Sequence, residues 1–385
     1  ENIRLAWGRA VEHEDAEALV HSAIPLRLFF DKRGRFHDGI NLYQSVIDVF
    51  QEKADVQKAL GYAYSCSSWL HFRVGQHTLA KELAEKSLSF LQPLKQTDAV
   101  FENQFTLSSL AFQTNNYNEA KEYLQFLMLL DEEKEPAIFS KALVGLGIIE
   151  GELGNYSQAK KLFERALHMQ RENNDISSVI PTLINLGRLE LSINNVNAAK
   201  LYLDEGIELA QYFNLQHYLT YLFNNLSKTL LIQKSMLEAQ NIAHKALDTA
   251  RHMDLRSYEP LIYETLGNIA NSKGQFAEAL KHFVQGLKIA LETKSSLNMV
   301  QALISIAELL FEQDYSERAA KLLGIVLKHG SSISQHKPSI QTLYKALSDS
   351  LSKSQLEQIL QEGEANALDQ AVQAVIVDYE SFFAN

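Results

Sequence analysis

Glycines crowd one stretch of this 385-residue chain, LGIIEGELGNYSQAKKLFERAL at 146–167, which holds Gly147, Gly151 and Gly154 and has Gly145 just in front. Glycine-rich turns that open a helix can cradle phosphate, because a bare backbone lets N–H groups approach the anion. Here, however, the pattern is Gly-x-Gly-x-x-x-Gly, one residue longer than the dinucleotide fingerprint, and no strand-like run precedes it. Gly187 and Gly267 occupy the place of Gly147 farther along the chain. A phosphate loop has no reason to recur in that way. Close packing between helices does.

The other chemistry-bearing residues are equally isolated. The sequence holds no Walker-type phosphate loop, no His-Glu-x-x-His and no Gly-x-Ser-x-Gly. HEDAE at 13–17 lacks a second histidine and reads as a helix cap. The 12 histidines are scattered, with no pair at the i, i+4 spacing that places two ligands on one helix face. Cys66 stands alone, so it can form no internal disulfide, and it reads as a small buried residue. These patterns predict neither catalytic residues, nor a metal site, nor a cofactor.

Composition points the same way. Net charge is −11 with an isoelectric point near 5.6, and an acidic surface repels a nucleic-acid backbone. No run of eighteen apolar residues and no basic-then-apolar leader is present, so no membrane segment is expected. A soluble cytoplasmic location is the default expectation. The chain begins at Glu1 without a methionine, which reads as a piece of a longer protein. At this length it exceeds one compact core and must be several domains or a repeat array.

The elements that carry these residues repeat. Blocks that start at 146, 186, 226, 266 and 306 align at a spacing of 40. Each places a small residue thirteen positions in: Ala159, Ala199, Ala239, Ala279 and Ala319. Ala120, Ala80 and Gly39 continue the ladder backwards at spacings of 39, 40 and 41. Every unit reads as two helices. The first ends at Gly34, Gly75, Asn115, Gly154, Asn194, Gly274 or Asp314, residues that tolerate the left-handed conformation. Lys234 departs from that rule. An aromatic or apolar residue follows two positions later in most units: Phe36, Tyr117, Tyr156, Val196, Met236 and Phe276. Pro136, Pro181 and Pro260 are expected near the starts of first helices, where a missing N–H costs little.

Leu146, Gly147, Gly154, Tyr156, Ala159, Phe163 and Ala166 together resemble the tetratricopeptide repeat, whose usual length is 34 residues. The longer period implies longer helices or turns. The resemblance covers about residues 14–328 and implies an all-α, right-handed α-solenoid of about eight helix pairs with a concave groove lined by the first helices. The expected organisation is an N-terminal capping helix and repeat array over 1–330, then closing helices over 331–385 after the connection SSISQHKPS at 331–339.

Groove positions are those on the first helices that packing does not consume. Two columns four residues apart include Ile184/Arg188, Asn224/Lys228 and Glu264/Asn268, one helical turn apart. Earlier repeats are apolar and aromatic here; later ones turn polar. The candidate ligand- or partner-binding residues are Trp69, Arg73, Arg188, Tyr221, Asn224, Lys228, Glu264 and Asn268. Amides both donate and accept, the cations could hold a carboxylate or phosphate, and the rings could stack on a ring or sugar.

The two ends carry a second resemblance. Asn2, Ile3, Arg4, Ala6, Trp7 and Ala10, then Phe29, Phe30, Arg33, Gly34 and Arg35, are similar to the start of the helical-repeat region of STAND-type signalling ATPases, including LuxR-type and AfsR-like bacterial regulators. At the far end, 318–330 and 356–376, with Gly363, Leu368, Ala371 and Val372, look like that family's closing segments. The resemblance implies a non-catalytic sensor. It would bind a protein, peptide or small-molecule trigger and control, by intramolecular contact, an ATPase module elsewhere in the parent protein. The alternatives are a quorum-sensing peptide receptor of Rap/PlcR type, or a general scaffold for protein–protein contacts.

Overall fold

The structure of the protein is a computed structural model that describes residues 2–33, 35–50, 53, 56–95, 97–114, 116–129, 132–330, 337–363 and 367–384. Gly34, Asn115 and most of the 331–339 connection lie outside the described residues. The contacts divide the chain into two compact units, residues 1–175 and 176–385.

In the first unit, α1 (Asn2–Glu12) precedes four helix pairs: α2 (Ala16–Lys32) with α3 (Phe36–Phe50), α4 (Gln57–Arg73) with α5 (His77–Leu91), α6 (Thr97–Gln113) with α7 (Tyr117–Leu127), and α8 (Pro136–Glu152) with α9 (Tyr156–Glu172). The second unit continues with α10 (Ile176–Ser192) and α11 (Val196–Tyr212), α12 (Gln216–Ile232) and α13 (Met236–His252), then α14 (Glu259–Ser272) and α15 (Phe276–Glu292). It ends with α16 (Ser296–Glu312) and α17 (Ser316–Gly330), closed by α18 (Lys337–Ser350), α19 (Lys353–Gly363) and α20 (Leu368–Ala384). Among the described residues there is no strand. The fold class is the expected one, an all-α array of tetratricopeptide-like helix pairs with capping helices.

The period now has a physical origin. In the regular stretch from α8 through α13 every helix is 17 residues long, and each connection is three residues. Two helices and two turns make the 40-residue repeat. The extra length over the usual repeat therefore sits in the helices. Each turn closes in the same way, with an N–H reaching back five residues to the helix it leaves, as in Asn155 to Glu150 at 2.9 Å and Ser235 to Leu230 at 2.9 Å.

That geometry needs one left-handed residue per turn. Gly75, Gly154, Asn194, Gly274 and Asp314 supply it, and so does Lys234, at φ +62°. The exception in sequence is thus no exception in conformation. A second row, Asn174, Asn214, Asp254 and Lys294, does the same between pairs. Sequence reading corrects on one proline as well. Pro136 opens α8 and Pro260 lies in the first turn of α14, but Pro181 is six residues into α10.

Within each pair the small residues allow close approach. Ala80, Ala120, Ala159, Ala199, Ala239, Ala279 and Ala319 are all fully buried. The column that holds Gly147, Gly187 and Gly267 faces them from the first helices. A Cβ at Gly147 would meet the Phe163 ring at 2.6 Å, one at Gly187 would meet Leu203 at 2.9 Å, and one at Gly267 would strike the Phe283 ring. At three other places in the column a serine replaces the glycine, and its hydroxyl donates to the alanine carbonyl opposite: Ser68 to Ala80, Ser108 to Ala120, Ser227 to Ala239, at 2.7–2.9 Å. The motif that resembled a phosphate loop is a set of sockets for side chains of the second helix.

The first helices of successive pairs also touch: α2, α4, α6 and α8 in the first unit, and α10, α12, α14 and α16 in the second. This brings their free faces side by side, which is where the candidate site residues lie. At the start of the chain, Trp7 of α1 donates to the Leu42 carbonyl at 3.0 Å and packs edge-on against Tyr43. HEDAE caps α2 as expected, with Asp15 accepting from the Ala18 N–H at 3.0 Å. At the other end, α18, α19 and α20 cover α17, with Gly363 against the backbone of Lys321 and Gly324.

Candidate functional site: the inner helix faces

In the first unit the exposed-looking aromatics and cations are bound to one another. Trp69 of α4 donates its ring N–H to Asp31 of α2 at 2.9 Å, and Arg73 pairs with the same carboxylate. Arg27, with a side chain only 5% exposed, pairs with Glu102 of α6 at 2.7 Å and lies 5.5 Å from the centre of the Trp69 ring. Arg73 stacks over Phe36 at 5.0 Å, and Phe72 and Phe105 close the sides of Trp69 at 5.2 and 5.9 Å. The indole N–H of Trp69 and one guanidinium nitrogen of Arg73 are therefore engaged inside the unit.

Cys66 lies beneath this cluster, fully buried. Burial pushes its thiol up to about 12, so it stays protonated at neutral pH. Among the described residues no three His, Cys, Asp or Glu side chains group so as to hold a metal ion.

The second unit presents a different face. Asn224 of α12 is nine-tenths buried, and its side-chain oxygen accepts from the Thr265 hydroxyl of α14 at 2.8 Å. The amide nitrogen is left with no partner among the described residues. One turn along, Lys228 approaches Glu264 at 3.7 Å, and Glu264 also accepts from Gln301 of α16 at 3.1 Å. A polar ladder thus runs across three consecutive first helices. Tyr221 packs edge-on against Tyr258 at 4.3 Å, on the same face one turn before Asn224. Tyr258 reaches it from a short 3₁₀ turn, Arg256–Tyr258, that starts α14.

Arg188 of α10 is exposed and Asn268 of α14 half-buried; among the described residues neither side chain has a partner. The structure thus brings Asn224, Lys228 and Glu264 together through Thr265 and Gln301. It sets Tyr221 beside Asn224, and holds Trp69 and Arg73 together in the other unit.

Two participants were not among the candidates. Gln301 shares the carboxylate of Glu264. Glu308 of α16 is half-buried, and its carboxyl is raised to about 7 by burial, then by the like charges of Glu312 and Glu264. The 40-residue register was the signal that pointed to Glu308, since Arg188, Lys228, Asn268 and Glu308 are equivalent positions in four successive repeats. A cavity of about 10 Å³ beside Glu264 and Gln301 has room for a water molecule and no more. Any larger ligand of these residues must lie on the open face.

Comparison with known proteins agrees on the fold. The family described as anaphase-promoting complex subunit 5 matches residues 108–190, less than half of the chain. None of the curated proteins matches the sequence. Among solved structures, a Rap protein complexed with competence and sporulation factor is 12% identical, with a TM-score of 0.57 over 91% of this chain and 99% of that one. The Rap conjugation gene regulator of plasmid pLS20, in complex with the Phr* peptide, is 14% identical, with a TM-score of 0.55 over 93% and 96%. NprR in complex with its cognate peptide NprX is 15% identical, with a TM-score of 0.50 over 83% and 98%. At such identities the likeness is one of architecture.

Proposed function

We propose that this chain is a non-catalytic receptor module that binds a peptide, or an extended segment of a protein, along the inner face of α10, α12, α14 and α16. The observation that carries this reading is Asn224. A buried carboxamide with its oxygen fixed on Thr265 and its N–H donors uncommitted is poised to meet a peptide carbonyl. Lys228, Glu264 and Asn268 extend the same face, and its openness suits an extended ligand. The similar Rap and NprR structures hold peptides, which supports the reading without assigning a ligand to this chain.

The test is binding of a randomised peptide pool to the chain and to Asn224→Ala and Lys228→Ala proteins that melt normally. Loss of a buried charge-assisted or amide hydrogen bond should weaken binding by about 1–2 kcal/mol, roughly tenfold. Unchanged affinity in both variants would remove these residues from the site.

A second reading concerns the parent protein. The opening and closing segments resemble those of STAND-type regulators, and the opening one is folded in, with Trp7 buried and Arg4 paired with Asp38. On this reading the module is a cytoplasmic sensor that restrains an ATPase in the same parent chain. A phosphate-loop motif in the coding sequence upstream of Glu1 supports it; a parent without one excludes it.

A further inference from the structure

The column Arg188, Lys228, Asn268 and Glu308 changes sign along its length: two cations, a neutral amide, then an acid. Each residue is at the equivalent place of its repeat, so the column is a row that crosses four neighbouring first helices. The middle is locally neutralised, because Lys228 faces Glu264. The ends are not. Arg188 has no partner among the described residues. Glu308 faces the carboxylates of Glu264 and Glu312 and, among the described residues, no cation within ion-pair reach. Between the two ends lies Asn224, nine-tenths buried with an uncommitted amide nitrogen.

We infer that the ligand of this face is a peptide with charges of opposite sign at its two ends: a carboxylate seated at Arg188 and a basic group, Lys, Arg or an amino terminus, seated at Glu308. The inference rests on the peptide-receptor reading above and names the ligand class for it. Neighbouring packed helices lie about 8–10 Å apart, so three intervals span roughly 24–30 Å. An extended chain advances about 3.3 Å per residue, which makes the bridging segment about eight or nine residues long. The free acid at one end and the free cation at the other disfavour ligands with like charges at both ends, because one end would always meet its own sign. Glu308 gains in addition: burial first, and then the like charges of Glu312 and Glu264, hold its proton on, and a ligand cation relieves the repulsive part.

The experiment compares three capped peptide pools of about nine residues with randomised centres: Lys at one end and Glu at the other, Lys at both ends, and Glu at both ends. The native chain should retain the mixed pool roughly tenfold more than either like-charged pool, with the margin shrinking at high salt. Arg188→Glu should shift the preference to the Lys/Lys pool, and Glu308→Lys to the Glu/Glu pool. The double variant should return it to the mixed pool, which needs only to bind in the opposite direction. Arg188 is exposed, so its substitution leaves the fold intact, and retention of the shifted pool by Glu308→Lys reports on folding in the same measurement. Equal retention of all three pools, unmoved by the substitutions, would overturn the charge order while leaving a peptide receptor. Retention of no pool would overturn both.

Discussion

Trp69 and Arg188 occupy the same column of the repeat, three pairs apart, and meet opposite surroundings. Around Trp69 the first unit pairs its charges internally: Asp31 takes both the indole N–H and Arg73, and Glu102 takes one terminal nitrogen of Arg27, whose buried Nε has no partner among the described residues. The indole has two guanidinium groups 5.5 and 6.0 Å from its ring centre, each paired with a carboxylate. Around Arg188 and Asn268 the second unit leaves donors uncommitted. One scaffold therefore builds two kinds of inner face. Charge buried against aromatics fixes a structure, while charge on the equivalent helices of the second unit is left open to solvent. Residue type does not tell the two apart, since both faces offer arginine and aromatic rings.

The largest expected effect breaks this comparison at its arginines. Arg27→Ala strands the Glu102 carboxylate, 17% exposed, and removes a cation from the indole. Breaking a buried pair from one side costs about 3–5 kcal/mol. Arg188→Ala removes an exposed group and should stay within about 0.5 kcal/mol. Urea unfolding of the two variants measures the difference. Equal losses would mean that the two faces are not different in kind.

The packing beneath the faces should respond alike in both units. Gly147→Ala in the first and Gly267→Ala in the second each push a Cβ into a phenylalanine ring of the partner helix, Phe163 or Phe283. Overpacking of this sort costs about 1–3 kcal/mol. Thermal melts of both variants should show comparable drops. A neutral result at either position would show that the ring can swing away, and that the glycine there is not required for the contact.

Much of this was legible in sequence because repetition averages out local noise. The eight small residues from Gly39 to Ala319 defined the pairs, and the first-helix columns followed from them by counting. The face of Asn224, Lys228 and Glu264 was found that way. Counting could not reveal which polar atoms are already used. Asp31 and Glu102 sit 38 and 75 residues from the groups they engage, and nothing in their own segments marks them as partners. Trp69 and Arg73 therefore looked as open as Arg188. Pro181 misled for a related reason: its nearness to a helix start depended on boundaries that a one-turn uncertainty blurs. Glu308 was in the counted column and Glu312 lies one turn along the same helix, but its raised pKa comes first from burial and then from Glu312 and Glu264, and neither the burial nor the approach of Glu264 shows before the helices pack.

That raised pKa offers a pH test confined to the second unit. The Glu308 carboxyl is raised from an ordinary 4.5 to about 7, so the folded state holds its proton over a window in which the unfolded state has lost it. Folding then binds more protons than unfolding, and stability falls as pH rises from about 4.5 to about 7. Glu308→Gln lacks this decline. Its melting temperature should match the parent near pH 4.5 and exceed it above pH 7, by about 1–2 kcal/mol in stability after allowance for partial exposure. A difference independent of pH would show that neither burial nor the neighbouring carboxylates raise the pKa of this carboxyl.

The smallest effect concerns the turns, where the second unit uses a lysine at a position that glycine fills in the first. Gly154 in the first and Lys234 in the second hold the same left-handed conformation, at φ +78° and +62°. A side chain in that region costs about 1–2 kcal/mol in conformational energy, while glycine gives back part of the gain through its freer unfolded chain. Lys234→Gly should therefore stabilise the second unit by roughly 0.5 kcal/mol, and Gly154→Ala should destabilise the first by roughly 1 kcal/mol. Lys234 also lies off the inner face, in the connection after α12, so peptide retention should be unchanged. A stabilised Lys234→Gly protein that lost its ligand would tie the turn to the site, and would place lysine there for binding and against folding.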